Sequence, residues 1–183
     1  MTDLAVRETS IPGLLEIQLA VHGDSRGWFR ETFQAAKLAE LGYLKDFRAV
    51  QANVSFNHEA GVTRGIHAEP WDKHIALAHG RAFVAIVDLR RGPTFGQLET
   101  FELTEHNALF VPRGCGNSYQ TLAANTAYTY LVNAHWSPVA TYTMVNLFDP
   151  DLAVPWPIER DRAIISDKDA GHPLLRDVTP MEV

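Results

Sequence analysis

Residues 64–90 read RGIHAEPWDKHIALAHGRAFVAIVDLR. Arg64, Gly65, Ile66 and His67 bring a cation, a flexible glycine and an imidazole together. Ala82 to Leu89 is an apolar run that gives out at Asp88 and Arg90, as a strand buried on both faces does. A buried strand beside a polar cluster is where a β-barrel holds a small-molecule site.

Similar short runs flank this stretch. Residues 14–21 read as a strand, and Gly23 to Gly27 as a polar loop. Trp28 to Glu31 resumes an extended pattern, whereas residues 1–9 read as a loose lead-in. Residues 32–41 carry Phe33, Leu38 and Leu41 at helical spacing with Gly42 after them, which predicts one short helix. Further strands are expected at 47–55, 61–67, 73–78, 82–89, 100–103, 108–111, 118–122, 127–132 and 141–148. Glycines and prolines punctuate them, the pattern of a sandwich or closed barrel. The expected fold is all-β, a jelly-roll barrel with short peripheral helices. One domain over residues 1–183 is expected, with an N-terminal arm at about 1–30. The proline-rich end, about 155–183, packs onto it and can carry Asp169 to a site built elsewhere.

The composition excludes several classes. A net charge of −6 gives no basic field for nucleic acid. Cys115 is the only cysteine, so neither an internal disulfide nor a Cys-based zinc site forms, which fits a reducing cytoplasm. The first residues, MTDLAVRETS, lack the pattern of a signal peptide, and no apolar run is long enough to cross a membrane.

His67, His74 and His135 lie in or beside strands, where histidines are more often structural than catalytic. His58, His106 and His172 sit among polar residues and read as solvated. His67 stands out through Arg64, Glu69 and Lys73 around it. A metal set of His67, Glu69 and His74 is conceivable, but no His-x-His pair completes it, and residues 112–122 contain no histidine; no metal is expected. Cys115 has no base beside it in sequence and reads as incidental. No glycine-rich phosphate loop is present, so side chains such as Arg26, Arg64 and Lys73 must hold any nucleotide. Tyr119, Tyr128 and Tyr130 are available as acids or donors, with Tyr128 and Tyr130 on one strand face.

Eight stretches occur in an order that resembles one family: GDSRGWFRE at 23–31, QANVS at 51–55, GVTRGIH at 61–67, VDLRRGPTFG at 87–96, VPRG at 111–114, DP at 149–150, WP at 156–157 and SDKDAGHPLL at 166–175. The chain is similar to the dTDP-4-dehydrorhamnose 3,5-epimerases, cupin-like enzymes that invert carbons beside the ketone of a 4-keto-6-deoxy sugar nucleotide. The resemblance covers about residues 11–175. It implies a cupin-like barrel, a homodimer that exchanges N-terminal strands, no cofactor and a dTDP-4-keto-6-deoxy sugar as substrate. A 4-ketoreductase acting on the product is a further implied partner.

By resemblance, His67 is the base, Asp169 its carboxylate partner and Tyr130 the acid on the opposite face. Arg64 and Lys73 stand near the sugar and the developing enolate. Arg26, Gln51 and Asn53 hold the diphosphate and nucleotide, with Arg26 reaching across the dimer. Phe29 and Glu31 match the base-binding end. The departures are specific. Asn117 stands where the family carries a second histidine, and Val84 where that histidine has an aspartate partner. Glu69 replaces a glutamine, and Trp136 a nucleotide-contacting tyrosine. Epimerisation at carbon 3 or carbon 5 alone, a non-catalytic sugar-nucleotide-binding cupin, and a metal-dependent cupin enzyme are the competing readings.

Overall fold

A computed structural model describes residues 4–183; residues 1–3 of the expected arm lie outside it. In chain order the strands are β1 (Ala5–Glu8), β2 (Leu15–Gln18), β3 (Val21–Asp24), β4 (Gly27–Arg30), β5 (Gln51–Asn57), β6 (Thr63–Ala68) and β7 (Lys73–His79). They continue with β8 (Ala82–Asp88), β9 (Leu98–Leu103), β10 (Asn107–Val111), β11 (Cys115–Thr121), β12 (Thr126–Val132) and β13 (Thr143–Met144). Helix α1 (Ala35–Glu40) follows β4, and α2 (Asp167–Ala170) and a 3₁₀ turn (Leu175–Asp177) lie in the tail. A six-stranded sheet, β1-β2-β10-β7-β12-β5, and a five-stranded sheet, β13-β6-β11-β8-β9, form the jelly roll; β3 and β4 make a separate hairpin.

Alternation of side chains divides the apolar residues into three layers. From β7, Ile75 and Leu77 point into the barrel beside Val84, Ile86, Leu109, Tyr119 and Tyr128. The alternate residue Ala76 packs outward with Ile17, Phe110, Leu38 and Phe47. From β8, Val84 and Ile86 face inward, while Val87 meets Ile66, Val145, Leu147 and Met181 of the layer under the tail. Residues 82–88 are therefore covered on both faces, as their continuous apolar pattern predicts.

Several boundaries differ from the sequence reading. The lead-in contains β1, which pairs with β2 and is held by the Arg7–Glu16 ion pair. The run 14–21 breaks at Leu19–Ala20, where β2 ends and the β3–β4 hairpin begins. The helix starts at Ala35, because extended Gln34 caps it: its side-chain oxygen accepts from the Lys37 N–H at 2.9 Å. Of the expected strand 141–148, only Thr143–Met144 is strand. Beyond it the Asn146 side chain donates to the carbonyls of Ala170 and His172 instead of continuing a ladder.

The tail is fixed by polar clamps. Gln120, fully buried on β11, donates to the Ile158 carbonyl at 2.9 Å and accepts from the Ile158 N–H at 2.7 Å. Val62 and Ile164 form a parallel bridge, and the Asp149 carboxylate accepts from the Leu175 N–H. The Trp156 indole donates to the Leu147 carbonyl.

His74 faces away from the barrel interior. It is buried, its ring lies 5.1 Å from Phe33, and among the described residues its Nε2 has no partner. Burial pushes its pKa down from 6.5 to about 4. The unfolded ring binds a proton that the folded ring refuses, so the stability this site contributes is full above about pH 6.5 and is lost as pH falls toward 4. At about 1.4 kcal/mol per unit, the loss is about 2–3 kcal/mol by pH 4.5. Urea denaturation at pH 7 and pH 4.5 should show His74→Phe losing less stability than wild type by that amount; equal losses would remove His74 as the cause.

Candidate active site

A cavity of about 320 Å³ is lined by strands of both sheets and by the tail. Strand β6 supplies Arg64 and His67, β7 Lys73, β11 Asn117 and Tyr119, β12 Tyr128 and Tyr130, and the tail Lys168 and Asp169. Residues three apart on a regular strand point to opposite faces. Arg64 and His67 nevertheless share the cavity, because the β6–β11 register shifts between Asn117 and Tyr119. Gly65 permits this close approach. Its φ is +124°, and a Cβ there would lie 2.4 Å from the Ser118 Cβ.

Asp169 arrives from α2. The Ser166 hydroxyl caps that turn by accepting from the Asp169 N–H at 3.1 Å. One carboxylate oxygen of Asp169 pairs with His67 Nε2 at 2.9 Å, and the other accepts from the Gly65 N–H at 3.4 Å. Burial pushes the Asp169 carboxyl up, but the hydrogen bond and charge of His67 outweigh it, so it sits below the usual range. An ionised carboxylate only accepts, so His67 donates from Nε2, and in the neutral ring the lone pair is then on Nδ1.

Lys73 is buried, and its Nζ lies 2.9 Å from Glu69 Oε2. Arg64 donates from Nε to Asn57 Oδ1 at 3.1 Å. The same oxygen accepts from the Tyr119 hydroxyl at 3.3 Å, and that hydroxyl also meets Ser55 Oγ at 2.9 Å. Tyr130 is pushed above the usual phenol range by burial and by the charge of Glu69, so it stays protonated and can donate.

Asn117 does not stand alone. The Tyr128 hydroxyl donates to its Oδ1 at 3.0 Å. Burial and the neighbouring Tyr119, stacked on Tyr128 with ring centroids 4.0 Å apart, hold the Tyr128 phenol well above its usual range. With Oδ1 engaged, the Asn117 amide NH₂ is left to donate into the cavity. Val84 is fully buried in the apolar barrel interior, opposite Tyr119 in register. A charged partner there would have no solvent, so an asparagine–tyrosine pair and a valine are compatible neighbours.

The structure brings together His67, Asp169, Tyr130, Arg64, Lys73 and Asn117. Other residues singled out from the sequence lie elsewhere in the chain. Arg26 is exposed on the β3–β4 hairpin and paired to Asp24. Phe29 and Glu31 border a separate groove of about 440 Å³ between that hairpin and α1, and Glu31 pairs with Lys37. Gln51 and Asn53, bonded to each other, are on β5, the last strand of its sheet. The Trp136 N–H donates to the Gln51 side chain, but its own side chain is exposed.

One reading needs correction. His172 is not solvated: its side chain is 8% exposed and its ring lies 5.3 Å from that of His67, edge to face. Burial and His67 lower its pKa. The only sequence signal was its place three residues after Asp169. The conceivable set of His67, Glu69 and His74 does not assemble, because His74 packs beside Phe33 and Glu69 pairs with Lys73. Lys168, also not anticipated, follows into the cavity from the α2 turn. Cys115 is buried, and burial with the charge of Asp88 pushes its thiol up to about 12, an inert state.

A family model described as dTDP-4-dehydrorhamnose 3,5-epimerase matches residues 8–177. A Streptococcus pyogenes protein called "Protein RmlC homolog" is 44% identical over 186 residues, spanning 98% of this chain and 93% of that one. The dTDP-4-dehydrorhamnose 3,5-epimerase of Mycobacterium tuberculosis is 34% identical, spanning 96% and 89%. The structure of RmlC from Streptococcus suis in complex with dTDP-D-xylose superposes with a TM-score of 0.93 at 43% identity, covering 98% of this chain and 95% of that one.

Asn117→Ala should leave the buried Tyr128 hydroxyl without an acceptor and cost about 1–3 kcal/mol. Adding Tyr128→Phe in that background should recover part of the loss. Denaturant titrations of the two single variants and the double variant measure the coupling; simple additivity would show that the pair contributes nothing.

Proposed function

The chain belongs to the dTDP-4-dehydrorhamnose 3,5-epimerase family, and from that premise we propose that it epimerises a dTDP-4-keto-6-deoxyhexose beside the ketone. The observation that carries this reading is the 2.9 Å His67–Asp169 pair in a cavity shared with Tyr130 and Lys73. His67 Nδ1 takes the proton from carbon 5 or carbon 3, and the electrons of that bond move into the carbon 4 carbonyl. Asp169 stabilises the imidazolium that forms. Lys73, Arg64 and the Asn117 amide offer positive charge and N–H groups to the enolate oxygen. Tyr130 delivers a proton to the opposite face of the same carbon, and the ketone re-forms with inverted configuration. The net reaction is neither oxidation nor hydrolysis.

Arg26, Phe29, Glu31, Gln51, Asn53 and Trp136 are the proposed nucleotide-binding set, completed across a homodimer by exchange of N-terminal strands. Two exposed faces support that arrangement. Val54 is 70% exposed on β5, and Phe29 is 66% exposed on the hairpin that carries Arg26. Apolar side chains of this size on open strands gain from being covered by a second copy. Among the described residues, no helix is long and apolar enough to cross a membrane. A cytoplasmic location and a 4-ketoreductase that consumes the product complete the proposal.

Incubation with dTDP-4-keto-6-deoxyglucose in deuterated water, followed by NMR, should place deuterium at carbons 3 and 5. Label at one carbon, with inversion there in the product, would support a single-carbon epimerase, and no label above the enzyme-free control would overturn the assignment for this substrate. His67→Ala should slow exchange by about 10²–10⁴-fold. Tyr130→Phe should retain exchange while losing inverted product. If it inverts at the wild-type rate, Tyr130 is not the acid.

A further inference from the structure

His172 presents an unmet requirement beside the proposed base. Its side chain is more than nine-tenths buried, yet among the described residues neither Nδ1 nor Nε2 has a hydrogen-bond partner. A buried ring nitrogen without a partner carries a desolvation penalty that an incoming ligand would relieve. Its Nε2 lies 3.9 Å from Asp169 Oδ1, and the same oxygen is 2.9 Å from His67 Nε2. One ligand atom from each of the three residues lies within 4.8 Å of the others. Tetrahedral zinc with bonds of about 2.0–2.1 Å sets ligand atoms about 3.3 Å apart, and the two distances to Asp169 straddle that value.

We propose that His67, Asp169 and His172 form a binding site for a divalent transition ion, zinc in particular, and that occupancy shuts off the base. Two imidazoles and one carboxylate suit zinc and cobalt and disfavour magnesium or calcium, which need more oxygen ligands. His67 and Asp169 line the cavity, so an ion reaches the cluster from there. Lys168, on the same wall, opposes the ion's charge and weakens its binding.

The inhibitory effect follows from the tautomer and rests on the reading of His67 as base. A metal can bind Nε2 only through a lone pair. The ring proton must then sit on Nδ1, the atom that otherwise takes the substrate proton. Asp169 exchanges its hydrogen bond to His67 for a bond to the metal. The ion therefore competes with catalysis and supplies none of it.

The test uses the full-length protein, zinc chloride and two variants. His172→Phe preserves the edge-to-face ring contact but removes both nitrogens, and His172→Gln keeps a polar group that ligates zinc poorly. Equilibrium dialysis should show wild type binding one more zinc ion than either variant, which controls for exposed histidines. Cobalt should give the intense visible absorption of a four-coordinate site in wild type alone. Micromolar zinc should suppress deuterium exchange by wild type, and EDTA should restore it. The variants should keep basal exchange and resist zinc by a factor of about ten or more, since losing a direct ligand costs at least as much as losing an outer partner. Equal zinc binding by wild type and both variants would overturn the site. A binding difference with no effect on exchange would overturn the inhibition. If wild type shows no exchange before zinc is added, the epimerase reading fails for that substrate, while dialysis and cobalt absorption still decide the site.

Discussion

The hydrogen bond between His67 and Asp169 joins residues 102 positions apart and depends on much of the surrounding fold. Asp169 is a buried carboxylate, and an unpaired one would be costly in an apolar layer. It is tolerable because His67 and the Gly65 N–H both meet it. The tail must therefore be held against β6 closely enough for a hydrogen bond. The Gln120 clamp on Ile158, the Val62–Ile164 bridge and the Ser166 cap together do that. Ordering that tail costs about 1–2 kcal/mol of backbone entropy per residue. The apolar layer of Ile66, Val87, Leu147, Trp156 and Met181 beneath it is the offset.

Within the cavity two of the ionic contacts are pairs, and Arg64 rests on a neutral partner. Lys73 has Glu69, His67 has Asp169, and Arg64 is steadied by the neutral oxygen of Asn57. The Tyr128–Asn117 pair adds donors without adding charge. Asn117 and Tyr128 form a neutral pair beside the apolar interior that holds Val84. The wall beside Tyr119 and Tyr128 orients a substrate by hydrogen bonds and stacking, and the charge that can follow a reacting proton is concentrated on His67 and its partner.

The barrel was legible because its signal is local. Runs such as 82–88 and 107–111 alternate between two apolar layers, and turn residues separate them. The pairing of His67 with Asp169 was expected from the resemblance that the ordered motifs GVTRGIH and SDKDAGHPLL carry, since geometry across 102 residues leaves no periodic trace. Other features depend on contacts that no short window contains. Strand β1 exists because β2 is beside it, and the shift between Asn117 and Tyr119 decides that Arg64 shares a cavity with His67. His172 looked polar and solvated in a segment of Asp, Lys and Gly, yet α2 turns it inward against His67. His74 resembled a site residue until its position on β7 turned it toward Phe33.

The central claim is that Asp169 fixes the proton of His67 on Nε2 and leaves Nδ1 as the base. Nitrogen-15 NMR of histidine-labelled protein reads this directly, with His67→Gln identifying the resonances. The account predicts a protonated Nε2 and an unprotonated Nδ1 in wild type near neutral pH, and loss of that bias in Asp169→Asn. The opposite tautomer in wild type, or a bias unchanged by Asp169→Asn, would contradict it.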